Sequence, residues 1–88
     1  MTYRIVLRSS ALRALTDELP ESVAVAVWEF LNGPLAASPA VVGRPLRGPY
    51  QGYYGARRGS YRVLYRIDHR DVVVEVVKID HRRDAYRA

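Results

Sequence analysis

Two arginines on neighbouring strands are the residues in this sequence best placed to do chemistry. Residues 56–66 predict two short strands joined by a two-residue Gly-Ser turn, because alternating polar and apolar residues flank a glycine loop. This turn places Arg57 opposite Arg62 and Arg58 opposite Tyr61. Like charges at facing positions cost roughly 0.2–1 kcal/mol of stability. A sheet that tolerates such a pair usually binds an anion, and nucleic acid is the polyanion that best suits a small basic domain.

A second group of candidate residues follows the last predicted strand. His81, Arg82 and Arg83 are adjacent, and Tyr86 lies three residues further on. RNA is cut without metal when its 2′-oxygen attacks the neighbouring phosphorus, which requires cations at the phosphate and groups that move protons. The hairpin arginines and Arg82 could hold the phosphate. Histidine has an ordinary pKa of about 6.5, so His81 suits the role of acid or base. Alternatively, His81 is a plain surface residue and Tyr86 only packs the tail against the sheet.

The positive charge is concentrated in the second half of the chain. Residues 1–36 carry three arginines against four carboxylates, whereas residues 37–88 carry eleven basic and five acidic side chains. Thirteen of the fourteen cations are arginine, whose planar guanidinium can bind phosphate through two parallel hydrogen bonds. A genome rich in arginine codons would produce the same bias. Arg44 and Arg47 are either further phosphate ligands or solvated loop charges.

The first half of the chain supplies one strand and two helices. Residues 2–8 alternate polar and apolar side chains, as expected of a half-buried strand. Two helices follow, and the second begins near residue 20. It carries apolar residues at helical spacing until an Asn-Gly-Pro segment at residues 32–34 interrupts or ends it. Residues 37–49 form a loop rich in small residues.

Three strands are expected in the second half, at residues 50–58, 61–67 and 72–79. Residues 68–71 form a turn in which His69 is structural. The last strand is nearly all apolar, which predicts a central strand covered on both faces. The fold class is therefore α+β: two N-terminal-half helices packed on a mostly antiparallel four-stranded sheet, in the order β-α-α-β-β-β. One face of the sheet takes the helices, and the other is left as a basic, concave surface.

Length and composition limit the classes of protein to which the chain can belong. Residues 1–88 form a single domain, with no room for a second core. The absence of cysteine excludes disulfides and thiolate metal sites. Two distant histidines and scattered carboxylates are a poor ligand set, so we expect neither metal nor cofactor. No apolar run approaches the roughly 20 residues of a membrane span, and we expect a soluble, cytoplasmic protein.

Four segments carry a family resemblance: Leu46-Arg47-Gly48, Gly52-Tyr53-Tyr54, the hairpin segment 57–65, and His81-Arg82-Arg83-Asp84-Ala85-Tyr86. In this order and at this length they resemble the RelE/ParE toxin superfamily of type II toxin–antitoxin systems, and most of all its RelE branch. The resemblance implies a ribosome-dependent endoribonuclease that cuts mRNA in the ribosomal A site, inhibits translation and needs no cofactor. It also implies an acidic partner, a RelB-like or Phd-like antitoxin that blocks the site.

The resemblance also implies roles for single residues. Arg62 matches the strand arginine thought to hold the scissile phosphate, and Arg82, preceded by His81, matches the basic pair after the last strand. Tyr86 matches a tyrosine thought to stack on or orient a base, and Arg57 matches a basic residue before the hairpin. The candidate catalytic residues are thus Arg62, His81, Arg82 and Tyr86, and the candidate phosphate-binding residues are Arg57, Arg58, Arg44, Arg47 and Arg83.

One departure from the family leaves the general base open. Well-studied RelE enzymes carry two lysines on the strand before the hairpin, and one of them is assigned as general base. An ungapped match places Tyr53 and Gly55 at these positions.

Two other functions are compatible with the sequence. One is a ParE-like protein that inhibits DNA gyrase without nuclease activity, and the other is a weak or inactive relative that only binds its antitoxin. The nuclease hypothesis requires that the guanidinium groups of Arg57, Arg62 and Arg82 lie on one surface and are not neutralised by the chain's own carboxylates.

Overall fold

A computed structural model describes residues 2–81 of the chain. The predicted α+β class is confirmed, with the helices in the N-terminal half and most of the sheet in the C-terminal half. In chain order the elements are β1 (Arg4–Leu7), α1 (Ser9–Arg13, continued by a π-helical turn, Ala14–Glu18), α2 (Glu21–Phe30, continued by a π-helical turn, Leu31–Leu35), α3 (Pro39–Val42), β2 (Arg44–Pro45), a 3-10 turn (Gly48–Tyr50), β3 (Tyr54–Arg58), β4 (Tyr61–Asp68) and β5 (Val73–His81).

The sheet has five strands in the described residues, in the order β1-β5-β4-β3-β2. β1 runs parallel to β5 and the other three neighbouring pairs are antiparallel, so the mostly antiparallel sheet is confirmed. The prediction of four strands is wrong because β2 joins the edge, with Arg44 opposite Gly55 and Pro45 opposite Tyr54. A strand of two residues is too short to show an alternating hydrophobic pattern.

The predicted hairpin between β3 and β4 is confirmed in its register. Arg57 lies opposite Arg62 and Arg58 opposite Tyr61, and the turn glycine, Gly59, has a φ of 52°. A positive φ at this turn suits glycine because it has no Cβ. β3 begins at residue 54 rather than 50, since a 3-10 turn at Gly48–Tyr50 occupies the preceding residues.

The segment at residues 32–34 interrupts α2 without ending it. The helix continues through Leu35 by widening into a π-helical turn that contains Pro34. Proline has no backbone N–H and disrupts the regular hydrogen-bond ladder of an α-helix, and the helix departs from α geometry at this point. The amide of Asn32 donates a hydrogen bond of 2.9 Å to the carbonyl oxygen of Trp28.

The core lies between the helices and one face of the sheet, which we call the helix face. Val27, Leu31 and Leu35 from the helical segments and Val63 and Tyr65 from β4 are fully buried there, each 0% exposed. Fully burying an aliphatic or aromatic side chain of this size contributes about 1.5–3 kcal/mol. The helix face therefore supplies most of the hydrophobic stabilisation of this small domain.

Tyr65 links the helix face to the start of α3. Its hydroxyl donates a hydrogen bond of 2.6 Å to the carbonyl oxygen of Pro39. Burial, reinforced by the neighbouring Tyr54, raises the pKa of Tyr65 to about 12. Gly43 passes so close to this hydroxyl that a Cβ on residue 43 would overlap it and would lie 3.0 Å from the carbonyl oxygen of Gly55. Only glycine fits at this approach without a shift of its neighbours.

β5 lies centrally between β1 and β4, as predicted, but the expectation that both of its faces are covered is wrong. Val74, Val76 and Ile79 are buried, whereas the residues that point the other way are partly or fully exposed. The two buried valines are two residues apart, and the isoleucine follows after three. The ladder explains this spacing, because Leu64 pairs with Lys78 and Tyr65 with Val76, so Val77 is an extra residue in a β-bulge.

The turn between β4 and β5 begins at Asp68 and ends at Val72, whose φ of 57° is unusual for a β-branched residue. The backbone N–H of Asp71 donates a hydrogen bond of 2.9 Å to Asp68 Oδ1, and this bond is the main cause of a lowered Asp68 pKa. His69 Nδ1 lies 2.9 Å from the hydroxyl oxygen of Tyr3, linking the turn to the start of β1.

Candidate functional site

The face of the sheet turned away from the helices, which we call the open face, carries an excess of positive charge. Its strand positions, together with Arg8 just after β1, hold seven cations and three carboxylates among the described residues. These cations are Arg4, Arg8, Arg44, Arg57, Arg62, Arg66 and Lys78, and the carboxylates are Asp68, Glu75 and Asp80. Four more positive than negative groups on one face create a field that attracts polyanions.

Four charged residues at the hairpin end of the open face form what we call the hairpin cluster: Arg57, Arg62, Lys78 and Asp80. Asp80 lies opposite Arg62 on the ladder, and Asp80 Oδ2 is 3.2 Å from Arg62 Nη2. The other oxygen, Asp80 Oδ1, is 3.6 Å from Lys78 Nζ. Arg57 completes the row on the far side of Arg62. The cluster thus holds three cations around one carboxylate.

The expectation that the cluster would have no carboxylate of its own is wrong for Arg62. Asp80 relieves part of the repulsion between Arg62 and Arg57. However, the side chain of Arg62 is 51% exposed, and exposed ion pairs typically contribute between about 0 and 1 kcal/mol. A phosphate can therefore compete with Asp80 for this guanidinium, and the cluster still has two more cations than anions.

Lys78 belongs to the cluster, although the sequence did not suggest it. Glu75 is the one charged residue between residues 72 and 77, and the others are valines, so the alternation of the strand is poorly marked. The bulge at Val77 then turns Lys78 and Asp80 to the open face and Ile79 to the core. A signal was present in the last residues, because Lys78, Ile79 and Asp80 alternate charged, apolar, charged.

Two of the candidate site residues lie on the helix face instead. His81 pairs with Tyr61, whose side chain is buried in the core, so alternation directs His81 away from Arg62. Arg58 also lies on this side, with its Cζ 4.7 Å from the centroid of the Phe30 ring. The pKa of Tyr61 is raised by burial, an effect that the charge of Arg58 partly opposes. We predicted that His81 stands beside the cationic cluster. His81 does lie at the same end of the sheet as the cluster, but on the opposite face.

The remaining candidate cations are spread over the edge of the sheet. Arg44 in β2 lies opposite Gly55 and shares the open face with Arg57, and both line a cleft at the β2–β3 edge. Arg47 is exposed just before the 3-10 turn.

The three tail candidates, Arg82, Arg83 and Tyr86, lie outside the described residues. Their positions relative to the hairpin cluster stay predictions.

The two positions where RelE enzymes carry lysines differ in character here. Gly55 presents only backbone to the open face, and the side chain of Leu46 lies over it, with Cδ2 3.4 Å from where a Cβ on residue 55 would stand. Tyr53 presents a phenol ring, and the guanidinium of Arg66 lies over that ring. These two positions therefore supply no amine.

No helix among the described residues is both long enough and apolar enough to cross a membrane.

Comparison with known proteins gives one family and close relatives. Residues 5–86 match the family described as the ParE toxin of type II toxin–antitoxin systems, parDE. The chain is 44% identical to Toxin RelG of Mycobacterium tuberculosis, covering 99% of each chain. It is 42% identical to Toxin RelE of the same organism, covering 97% of this chain and 87% of the relative. Among solved structures, the Mycobacterium tuberculosis toxin–antitoxin complex RelBE2 matches with a TM-score of 0.90 and 41% identity, over 93% of this chain and all of the other.

Proposed function

The chain belongs to the ParE toxin family of type II toxin–antitoxin systems, within the RelE/ParE superfamily, and from this premise we propose that it is a ribosome-dependent mRNA endonuclease. Its toxic effect would be the arrest of translation. Two relatives that are over 40% identical along nearly the whole chain carry the names RelE and RelG. The hairpin cluster is the observation that supports a substrate with phosphates, since facing arginines on an exposed sheet favour a bound anion.

The proposed reaction uses the substrate's own 2′-oxygen as nucleophile. This oxygen loses its proton to a base and attacks the neighbouring phosphorus, and the bond to the 5′-oxygen breaks as that oxygen takes a proton. The products are a 2′,3′-cyclic phosphate and a 5′-hydroxyl. Arg57 and Arg62 would hold the phosphate and stabilise the extra negative charge of the transition state, and Arg82 is proposed to join them.

Proton transfer requires groups other than the arginines. An arginine with a pKa above ~12 is almost never neutral at pH 7, so it is a poor base. His81 is the proposed proton carrier, and it stands at the same end of the sheet as Arg62 although on the other face. RNA that passes around the end of β5 would meet both residues. Tyr86 is proposed to stack on or orient a base.

The decisive experiment is cleavage of mRNA on purified ribosomes, read by primer extension. The wild-type protein is expected to produce discrete cuts in translated regions, and Arg62→Ala is expected to lose them while its circular dichroism spectrum stays unchanged. Arg70→Ala, in the turn at the far end of β4, is the matched control and should cut normally. Full activity in a folded Arg62→Ala protein would remove Arg62 from the site.

His81 is tested separately, since its position on the helix face also suits a structural role. If His81 carries a proton, His81→Gln should lower the rate of cleavage and alter its dependence on pH. An unchanged rate and an unchanged pH profile would show that another group moves the proton.

We propose an acidic antitoxin as the protein partner. The solved structure with the TM-score of 0.90 is a toxin–antitoxin complex, and the open face offers a positive surface to an acidic chain. Co-expression with the product of the neighbouring open reading frame should yield a stable complex and suppress toxicity. A neighbouring product that neither binds the toxin nor protects the cell is not its antitoxin.

A second function is favoured by two observations. Tyr53 and Gly55 replace the lysines of RelE enzymes, and the matching family is described by the name ParE. A ParE-like protein would bind DNA gyrase and cut no RNA. Expression in cells separates the two functions, because gyrase poisoning gives DNA breaks and an SOS response, whereas the endonuclease gives cuts in mRNA. A non-toxic protein that still binds its antitoxin would indicate an inactive relative.

A further inference from the structure

A second group of side chains lies further along the open face, away from the hairpin cluster. The Cζ of Arg66 lies 5.6 Å from the centroid of the Tyr53 ring. The ring of Tyr50 meets the ring of Tyr53 edge-on, with centroids 6.5 Å apart and planes at 87° to one another. We call Tyr50, Tyr53 and Arg66 the tyrosine platform.

The cation of the platform, Arg66, is paired with a carboxylate, Glu75, which it shares with Arg8. Arg66 Nε donates a hydrogen bond of 3.1 Å to Glu75 Oε1, and Arg66 Nη2 lies 2.8 Å from the same oxygen. Arg8 approaches the other oxygen of the same carboxylate at 3.4 Å. Because two nitrogens of the guanidinium contact the same carboxylate oxygen, Arg66 is held in place across the strands. It therefore presents a flat surface more than an unpaired charge.

The platform is accessible and its aromatic residues are positioned by the backbone. Tyr50 is 52% exposed and the side chain of Arg66 is 54% exposed. A hydrogen bond of 3.0 Å from the N–H of Tyr53 to the carbonyl oxygen of Tyr50 closes the turn between the two tyrosines. Gly52, with a φ of 93°, permits this turn. Two rings and a guanidinium plane are thus held together at the surface of a strand edge.

We propose that the tyrosine platform is a nucleobase-binding subsite on which one base of single-stranded RNA stacks while a phosphate is held at the hairpin cluster. Aromatic rings and arginine planes are the surfaces on which proteins stack unpaired bases. Arg62 and Arg66 are four residues apart on one strand, which is about 13 Å. A phosphate and the base of a nearby nucleotide can therefore occupy the two sites of one strand of RNA.

This inference rests on the proposed function, because it requires that the open face binds RNA. It adds a prediction that the nuclease hypothesis alone does not make. Binding through phosphate contacts depends on salt: for a single strand, log K falls by roughly 0.7 for each phosphate contacted when the salt concentration rises tenfold. Stacking of a base on a neutral tyrosine ring has no such dependence on salt. Loss of the Tyr53 ring should therefore weaken binding without changing the salt slope.

The test is binding of a fluorescent single-stranded RNA hexamer, measured by anisotropy at several salt concentrations. The probe carries 2′-O-methyl groups, so that no 2′-hydroxyl is free to attack the phosphorus. A second probe replaces every base by hydrogen and keeps the ribose-phosphate chain. Tyr53→Ala is expected to weaken binding of the normal hexamer about tenfold at an unchanged salt slope. Tyr53→Phe keeps the ring and should bind within about twofold of wild type.

The base-free probe separates stacking from a general loss of structure. Wild type and Tyr53→Ala should bind it equally, because it offers nothing to stack on the platform. If Tyr53→Ala binds the normal hexamer as tightly as wild type does, or weakens both probes alike, the platform is not a base subsite. Cleavage of mRNA on ribosomes by the same wild-type preparation would then leave the endonuclease proposal intact. A wild-type protein that neither binds the hexamer nor cuts mRNA overturns both proposals together.

Discussion

The two faces of the sheet differ in what holds their side chains in place. On the helix face, Val63, Tyr65, Val74 and Val76 are 0% exposed and pack against the helices. On the open face, by contrast, lie all four ion pairs found among the described residues. Packing determines the first face, since a change of one methyl group is felt in a close-packed core. Exposed ion pairs contribute little to folding, so the second face is free to be shaped by binding.

Arg57 and Arg58 show this difference in adjacent residues of the same type. Alternation along β3 sends Arg57 to the open face opposite Arg62, and Arg58 to the helix face over Phe30. The two arginines were both candidate phosphate ligands, but only the environment of Arg57 contains a surplus of cations. The face on which a residue lies is therefore more informative than its type.

The largest expected effect is a loss of stability when a side chain is added at Gly43, next to the buried Tyr65 hydroxyl. A Cβ in Gly43→Ala would overlap the buried hydroxyl of Tyr65, so the protein must shift and weaken its hydrogen bond to Pro39. We expect a loss of about 2–3 kcal/mol in the free energy of unfolding, measured in urea. Gly33→Ala is the matched control, since nothing lies within 4 Å of its added Cβ. Equal stability of the two variants would show that the approach of Gly43 to Tyr65 is not tight.

The next effect is a pH dependence that belongs to the helix face alone. Tyr65 has a pKa of about 12 when folded and about 10 when unfolded. Between these values the unfolded chain releases a proton that the folded chain retains. The stability contributed by the protonated phenol is therefore complete below pH 10 and is lost as the pH rises towards 12.

The variant Tyr65→Phe tests whether the loss of stability at alkaline pH comes from the Tyr65 hydroxyl. At pH 7 the variant should be about 1–2 kcal/mol less stable than wild type, because Pro39 loses its hydrogen-bond donor. This deficit should shrink above pH 10, where only the wild type loses the Tyr65 contribution. Unfolding curves at pH 7, 10 and 11 measure it, and Tyr50→Phe, at an exposed position, should follow the wild type. A constant deficit at all three values would assign the alkaline loss to other groups.

Replacing Arg57 and Arg58 one at a time by alanine should separate effects on RNA binding from effects on stability. Arg57→Ala is expected to leave stability nearly unchanged and to reduce the salt slope of RNA binding by roughly 0.7. Arg58→Ala should keep the salt slope and lose about 0.5–1 kcal/mol of unfolding free energy, since its guanidinium no longer lies over Phe30. The two quantities come from anisotropy titrations and urea unfolding. Equal salt slopes in the two variants would mean that both faces contact RNA.

The smallest effect concerns the carboxylate of the hairpin cluster. Asp80→Asn removes the one negative charge beside Arg62 and Lys78, so we expect tighter RNA binding by a few-fold. Stability should change by less than about 1 kcal/mol because these cations are exposed. Asp17→Asn makes the same change of net charge on an exposed helical position and should leave the affinity almost unaltered. Weaker binding by Asp80→Asn would indicate that Asp80 holds Arg62 in its binding orientation.

The sequence predicted the parts of the molecule that depend on local patterns. The hairpin register followed from a two-residue glycine turn between alternating strands, and it correctly separated Arg57 from Arg58. The central position of β5 followed from its apolar composition. The strand β2 was missed because its pairing with β3 depends on contacts distant in sequence rather than on any property of two residues.

The candidate site was predictable only as far as the hairpin. Whether Asp80 or His81 stands beside Arg62 depends on how many residues of β5 fit against β4, and a run of valines interrupted only by Glu75 does not determine this count. The pairing of Arg62 with Asp80 and the turning of His81 to the helix face have the same cause. The part of the site that includes the tail stays a prediction.

The extra residue at Val77 also has a consequence for comparing this chain with its relatives. In a homologue whose last strand lacks that extra residue, the residues after this position would be shifted by one along the strand. Identical residues after the bulge would then point to opposite faces of the sheet. Aligning these toxins column by column, without a gap at that place, would pair a solvent-facing acid in one with a core residue in the other. Before a residue's role is transferred from one of these proteins to another, the face of the sheet to which that residue points must be known in both.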